Sequence, residues 1–255
     1  MAKARVWRKT LILVFLIFFS FCPAASISGD QLHEGDRILS GPTLTLGQAQ
    51  QALAFYEAAL AGVPRDQEPL LTRLARVCFI LGDMAPETLR EDYYDQGLKY
   101  AERLLREQPG GVAGHYWKAM NEAGLADTGG KLRGRKLLPD IMDELRRSLA
   151  LDEAYDHAGA HRVLGRIYYE APRPPFSVGD LQKSLTHLTA AVRLAPDTST
   201  NHLYLAETLM RLGETTQARQ ELERVLTSSH HAVQPGGLAE DRREARRLLE
   251  GLSGD

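Results

Sequence analysis

The sequence has little with which to do covalent or redox chemistry. Among 255 residues there are two cysteines and two tryptophans. There is no HExxH, no GxSxG and no paired CxxC, so the usual zinc-hydrolase, serine-hydrolase and dithiol signatures are missing. No stretch alternates apolar and polar residues convincingly enough to read as a half-buried strand. The longest apolar run, residues 11–21, is 11 residues long and ends before Pro23, well short of the ~20 that a spanning helix requires. What remains is a chain with 44% hydrophobic and 25% charged residues, enough apolar content for a sizeable core or a small array.

The N-terminus has the layout of a secretory signal. Lys3, Arg5, Arg8 and Lys9 precede the apolar run, and Ala24, Ala25 and Ser26 supply small residues for cleavage, so residues 1–26 are expected to be removed on export. Cys22 invites a lipid-anchor reading, but the slot before it holds Phe21 where a small residue is normal. Cleavage would leave 27 basic against 33 acidic residues, a net charge of −6, which argues against nucleic acid as a partner. Cys78 would then be the one remaining thiol, in the apolar context ARVCFILG of a buried small hydrophobe.

Aligned on itself, the chain repeats. HLYLAETLMRLGETTQARQELERVL places Leu205, Ala206, Leu209, Gly213, Ala218, Leu222 and Val225 at tetratricopeptide spacing in a 34-residue unit, 199–232. The unit before it starts at 158 and runs seven residues longer; the excess falls in EAPRPPFSVGD, an enlarged turn between two helices that Ser177 or Asp180 can close as a cap. Two further units start near 112 and 68, the first with a Gly-rich basic insertion, TGGKLRGRK, expected to be a solvated loop. The organisation expected is therefore an all-α tetratricopeptide solenoid: an N-terminal segment with a single helix over 27–67, four helix pairs over 68–232, and a capping helix over 233–255.

Three histidines, His115, His161 and His202, occupy the same slot in successive repeats. Neighbouring helices stand roughly 8–10 Å apart, so the outer two would be roughly 16–20 Å apart, whereas zinc holds imidazole nitrogens at about 2.0–2.1 Å. Packing is the better reading, and neither a metal nor any other cofactor is expected. GLADTGGK lacks both the spacing and the preceding strand of a phosphate loop. Catalytic residues are not expected either; the chain reads as a binding protein.

In such a superhelix the first helix of each pair lines the concave side. The repeat register puts Arg76, Tyr116, Met120, Arg162, Arg166, Tyr169, Glu207 and Met210 there. Arginines that can grip carboxylates, beside aromatic and methionine side chains, suit an acidic peptide or an amphipathic organic acid. Arginine stems packing in a purely structural groove would give the same composition. Pro174, Pro175 and Phe176 in the enlarged turn form a candidate contact surface for a partner or a neighbouring subunit.

The block from Asp156 to Glu207, with YDHAGAHRVLGRIYYEAP, FSVGDLQKSL, LAPD and NHLYLAE, resembles the TatT-type periplasmic tetratricopeptide component associated with TRAP transporters. That resemblance implies a periplasmic helper that docks the transporter's solute-binding protein, with a small organic-acid or hydrophobic ligand as a further expectation. A general envelope adaptor that binds a peptide or protein tail, unrelated to uptake, is the alternative.

Overall fold

The structure, a computed structural model, describes residues 24–41, 43–62, 67–231 and 237–252. The expected signal cleavage site begins at the edge of this range, and the apolar run and Cys22 lie outside it. The described residues form eleven helices: α1 (Ala24–Leu39), α2 (Leu46–Gly62), α3 (Glu68–Met84), α4 (Glu87–Glu107), α5 (Val112–Thr128), α6 (Gly130–Leu151), α7 (Tyr155–Glu170), α8 (Leu181–Leu194), α9 (Ser199–Leu212), α10 (Thr215–Thr227) and α11 (Gly237–Gly251). Consecutive helices pack as pairs, and α3, α5, α7 and α9 also touch one another in sequence, so the first helices of the pairs form one continuous layer. The last helix covers α9 and α10, as a cap must in a stacked array.

Two local expectations are corrected. The helix of residues 46–62 is not single: α1 packs along it and makes a further pair. The basic insertion is not a loop either. The turn after α5 is only Gly129 and Gly130, the second at φ 71°, a left-handed conformation that glycine adopts without penalty, and helix resumes at once through Lys131, Arg133 and Arg135.

Close approach within the pairs follows from glycine placed opposite a large side chain. A Cβ at Gly35 would lie 2.4 Å from the Tyr56 ring, and one at Gly165 would lie 2.5 Å from Leu188. Tyr94 of α4 is enclosed on two sides: a Cβ at Gly82 of α3 or at Gly124 of α5 would each stand 2.4 Å from its ring. Around these contacts the core is continuous through Leu71, Ala75, Leu104, Tyr116, Trp117, Leu145 and Leu164. All the packing described for side chains involves residues from Leu32 onward.

Polar ties cross each step of the inner layer. Arg73 of α3 donates twice to the Asp36 carboxylate of α1, at 2.7 and 2.9 Å. Asn121 of α5 donates to the Ala75 carbonyl of α3 at 3.2 Å, and Arg162 of α7 donates to the Tyr116 hydroxyl of α5 at 3.1 Å. Asn201 of α9 donates to the His157 carbonyl of α7 at 3.2 Å, and the Ser199 hydroxyl donates to Asp241 of α11 at 2.6 Å. Buried polar groups need such partners, so each tie also fixes how neighbouring pairs sit on one another.

The enlarged turn is ordered by its own backbone. The amides of Gly179 and Asp180 donate to the carbonyls of Pro172 and Tyr168, both at 2.9 Å. Of the two proposed caps, Asp180 performs the role: its carboxylate accepts from the amides of Gln182 and Lys183 at 3.0 and 3.1 Å.

Candidate functional site

The inner layer carries two recesses. The first, about 480 Å3, lies between α1, α3 and the start of α7, and is lined by Asp36, Tyr56, Arg73, Arg76, Trp117 and Tyr155 among others. Burial alone would raise the Asp36 carboxyl, but hydrogen bonds from Arg73 and Tyr56 outweigh it and hold it below its usual range. The Trp117 indole N–H donates to the Tyr155 hydroxyl at 3.1 Å, and burial pushes that phenol up to about 12. Neutral aromatic walls, the Asp36–Arg73 pair and the Arg76 side chain together line this recess.

The second cluster sits at the step from α7 to α9. The Arg166 guanidinium lies 4.9 Å from the ring centre of Tyr169 and 4.6 Å from that of Tyr204, and pairs with both Glu170 and Glu207. Arg211 lies 4.2 Å from the Tyr169 ring centre and donates to the Tyr169 carbonyl at 2.8 Å. Tyr169 is thus held between two cations, an arrangement that fixes its ring. A recess of about 450 Å3 opens beside it, lined by Tyr169, Pro172, Arg173, Asp180 and Arg211 among others.

Of the sequence-derived groove residues, Arg166, Tyr169, Glu207 and Met210 are half-buried on α7 and α9, and Arg76 belongs to the other recess. Tyr116, Met120 and Arg162 are corrected: they are buried at 0%, 7% and 3% exposure and line no open groove. Gly159 explains the rotation, since a Cβ there would meet the Tyr116 hydroxyl at 2.4 Å; its absence lets the phenol enter the step between α5 and α7. Arg162 follows it inward and donates to five acceptors: the carbonyls of Asp156 and His157, the Asp156 carboxylate, the Asn201 amide oxygen and the Tyr116 hydroxyl. These bonds close over Asp156, His157 and Ala158, three consecutive residues at φ 49°, 57° and 60°. Sequence periodicity missed Asp36, Arg73, Trp117, Tyr155, Tyr204 and Arg211. Asp36 stands in a segment given no pair, and Arg211 follows by one residue the Met210 that the repeat register placed on the concave side.

The three repeat histidines are engaged within their own pairs. The ring of His115 bridges the Pro109 carbonyl, at 3.1 Å, and Glu144, at 2.5 Å. His202 repeats the arrangement with the Pro196 carbonyl, at 2.7 Å, and Glu221, at 2.6 Å. Burial opposes the Glu144 charge, but Lys118 and His115 together keep its carboxyl below the usual range. Among the described residues no three His, Cys, Asp or Glu side chains converge as metal ligands. Cys78 is buried and its thiol is pushed up by that burial, which makes it a poor nucleophile.

His161 instead faces His187 of α8, the two Nδ1 atoms 3.0 Å apart, with the His187 ring stacked on Tyr168. One nitrogen must donate and the other accept, so the pair tolerates at most one extra proton. Burial, then His161 and Arg146, lower His187 to about 4; burial lowers His161 as well, against the pull of Glu153. An unfolded histidine binds a proton near pH 6.5. The folded protein refuses it until about pH 4, so this contribution to stability is intact above pH 6.5 and is lost as pH falls toward 4. Urea unfolding at pH 7 and pH 5 should show a smaller acid-induced loss for His187→Gln than for the parent. Equal losses would assign the pH dependence elsewhere.

Pro174, Pro175 and Phe176 are exposed, Phe176 at 78%. Phe176 lines neither inner recess. It borders a third cleft, on the α6 side of its loop.

Residues 83–253, two thirds of the chain, match the family model of the TRAP transporter T-component. The chain belongs to that family. The match includes the block 156–207 on which the resemblance was drawn. Among solved structures the T-component is similar to a thermophilic TPR protein of Thermus thermophilus, with a TM-score of 0.64 and 19% identity over 88% of this chain and 98% of that one. That likeness shows the fold, an all-α solenoid of tetratricopeptide type. The structure of MamA protein aligns at a TM-score of 0.43 and 14% identity, over 80% of this chain and 92% of that one. No curated protein sequence matches. Among the described residues no helix is long and apolar enough to cross a membrane.

Proposed function

We propose that this T-component is a periplasmic, non-enzymatic scaffold that docks the solute-binding protein of a TRAP-type transporter at the step between α7 and α9. The observation that carries this reading is the half-exposed cluster of Arg166, Tyr169, Tyr204 and Arg211. Tyrosine and arginine dominate the energetics of protein interfaces, and rings already immobilised by stacked guanidinium groups lose little further freedom when a partner arrives. Glu170 and Glu207 leave the cluster with both charge signs, which suits a polar, reversible contact.

A small organic acid would enter the other recess, beside Arg76, Trp117 and Tyr155. Its volume of about 480 Å3 falls within the ordinary range for small-molecule sites. The family supports a role in transport, and the position of a ligand recess on the same inner layer as the docking cluster fits a helper that meets both solute and binding protein.

The test is capture of the solute-binding protein whose gene accompanies the same transporter, by the purified T-component. Tyr169→Ala, which removes the ring that both arginines hold, should weaken the complex at least tenfold, about 1.4 kcal/mol, without lowering the melting temperature by more than a few degrees. Unchanged affinity would remove the α7–α9 step from the interface. Specific recovery of unrelated envelope proteins in place of the binding protein would support the general adaptor.

A further inference from the structure

The edge of the array formed by the two insertions has a composition unlike the rest of the surface. Leu132, on the first turn of α6, is 83% exposed, and Phe176, in the enlarged turn after α7, is 78% exposed; among the described residues these are the two most exposed large apolar side chains. The first fully buried residue of α6 is Ile141; before it Leu137 and Leu138 pack only partly against the core, and Lys131, Leu132, Arg135 and Lys136 are exposed.

Charge is distributed equally unevenly. Lys131 and Arg135 line the cleft that Phe176 borders, Lys136 follows on the same helix and Arg173 stands on the same loop as Phe176. None of these four cations has an ion pair among the described residues. The acids at the mouth are already engaged: Asp127 pairs with Arg90, and Glu170 pairs with Arg166. Asp140, farther along α6, is the one carboxylate of these two segments without an ion pair. A chain whose formal net charge is −2 therefore presents a locally cationic edge around two protruding apolar tips.

We infer that this edge seats on an anionic phospholipid surface, with Lys131, Arg135, Lys136 and Arg173 at the level of the headgroup phosphates and Leu132 and Phe176 below them. Cations flanking exposed Leu and Phe side chains match the layered chemistry of a membrane interface, phosphate above and acyl chain beneath. Beside Phe176 lies a cleft of about 680 Å3, lined also by Lys131 and Arg135, whose floor includes Ala126, Leu138, Ile141 and Ile167, an apolar seat for part of an acyl chain. A protein partner would leave the cations needing acidic side chains placed to match each one, whereas a lipid surface supplies mobile phosphates that adjust to them. The proline-rich turn, expected from sequence to meet a protein, places Phe176 at the cleft on its α6 side and Arg173 at the recess beside Tyr169.

The experiment is vesicle flotation with protein beginning at Ala24, which keeps all the described helices and omits the apolar run of residues 11–21. Vesicles of phosphatidylglycerol and phosphatidylcholine in equal parts are compared with pure phosphatidylcholine. Partition onto the anionic vesicles should be at least tenfold stronger and should fall as salt is raised. K131E/R135E and L132D/F176D lie on exposed positions, and each should reduce that partition at least tenfold while melting within a few degrees of the parent. Equal partition onto both vesicle types would overturn the proposal, as would parent-like binding by either double variant. So would variants that keep their lipid binding yet lose the solute-binding protein, since the edge would then be a protein-docking surface. Because the vesicles contain no protein, failure here leaves the α7–α9 docking assignment untouched.

Discussion

Arg162→Ala should be the most damaging single substitution in the inner layer, lowering stability by about 3–5 kcal/mol and the melting temperature by on the order of 10 °C. The side chain is 3% exposed and answers five acceptors. Removing it strands the Asp156 carboxylate, itself largely buried, without its cation. It also releases the left-handed turn at Asp156–Ala158, where three side-chain-bearing residues hold positive φ at a cost of about 1–2 kcal/mol each. Arg162→Lys, which keeps the charge but not the fork of donors, should fall between alanine and the parent. Thermal unfolding followed by circular dichroism decides the matter: an alanine variant that melts within two or three degrees of the parent would mean that the turn is held by Asn201 and packing alone.

Gly124→Ala should cost about 1–3 kcal/mol, toward the upper end of what one added methyl does in a packed core. Overpacking is tolerated when the displaced group can step aside. Tyr94 has nowhere to go, because Gly82 on its other side already admits the ring as closely as Gly124 does. Its hydroxyl also accepts from Arg90 at 3.3 Å, which resists tilting. Gly82→Ala should behave alike. Adding Tyr94→Leu to Gly124→Ala should recover part of the loss, so that the pair is less than additive. Urea unfolding of the two single variants and the double reads this directly; full additivity would show that the methyl and the ring do not compete for the same space.

The repeat architecture was legible because its signals are local and repeated: Leu205, Ala206, Ala218, Leu222 and Val225 recur in the same register as Leu164, Gly165, Ser184, Leu188 and Ala191. The proline turn was legible for the same reason, since Pro172, Pro174 and Pro175 have no place in a helix interior. What escaped was decided by neighbours. The helix α1 carries Gly29, Asp30, Gly35 and Asp36 in a short segment, poor helix formers that tertiary packing against α2 overrides. Gly130 and Gly134 made the basic insertion read as a loop, whereas one glycine suffices for the turn and helix tolerates the other. Tyr116 and Arg162 were assigned to the open face by counting along one helix. Their true position depends on Gly159 of the next repeat leaving room for a phenol, and a periodicity within one helix carries no record of that. The two most informative features of the uncovered edge, Leu132 and Phe176, stand in segments that the repeat pattern leaves unassigned.

The polar ties from α1 to α11 change how the array should come apart. Repeat arrays commonly behave as one-dimensional chains of weakly coupled units, in which end repeats fray while central ones persist. Here Asp36–Arg73, Asn121–Ala75, Arg162–Tyr116, Asn201–His157 and Ser199–Asp241 join each inner helix to the next. Opening a boundary from α3 onward leaves buried donors or acceptors unanswered, so partial opening there is penalised relative to complete unfolding, while water can answer the half-exposed Asp36–Arg73 pair at the α1 end. Amide exchange should therefore find one large cooperative block from α3 onward rather than a gradient of protection from the ends inward, and the curvature of the superhelix should be a fixed property of the molecule rather than a breathing one.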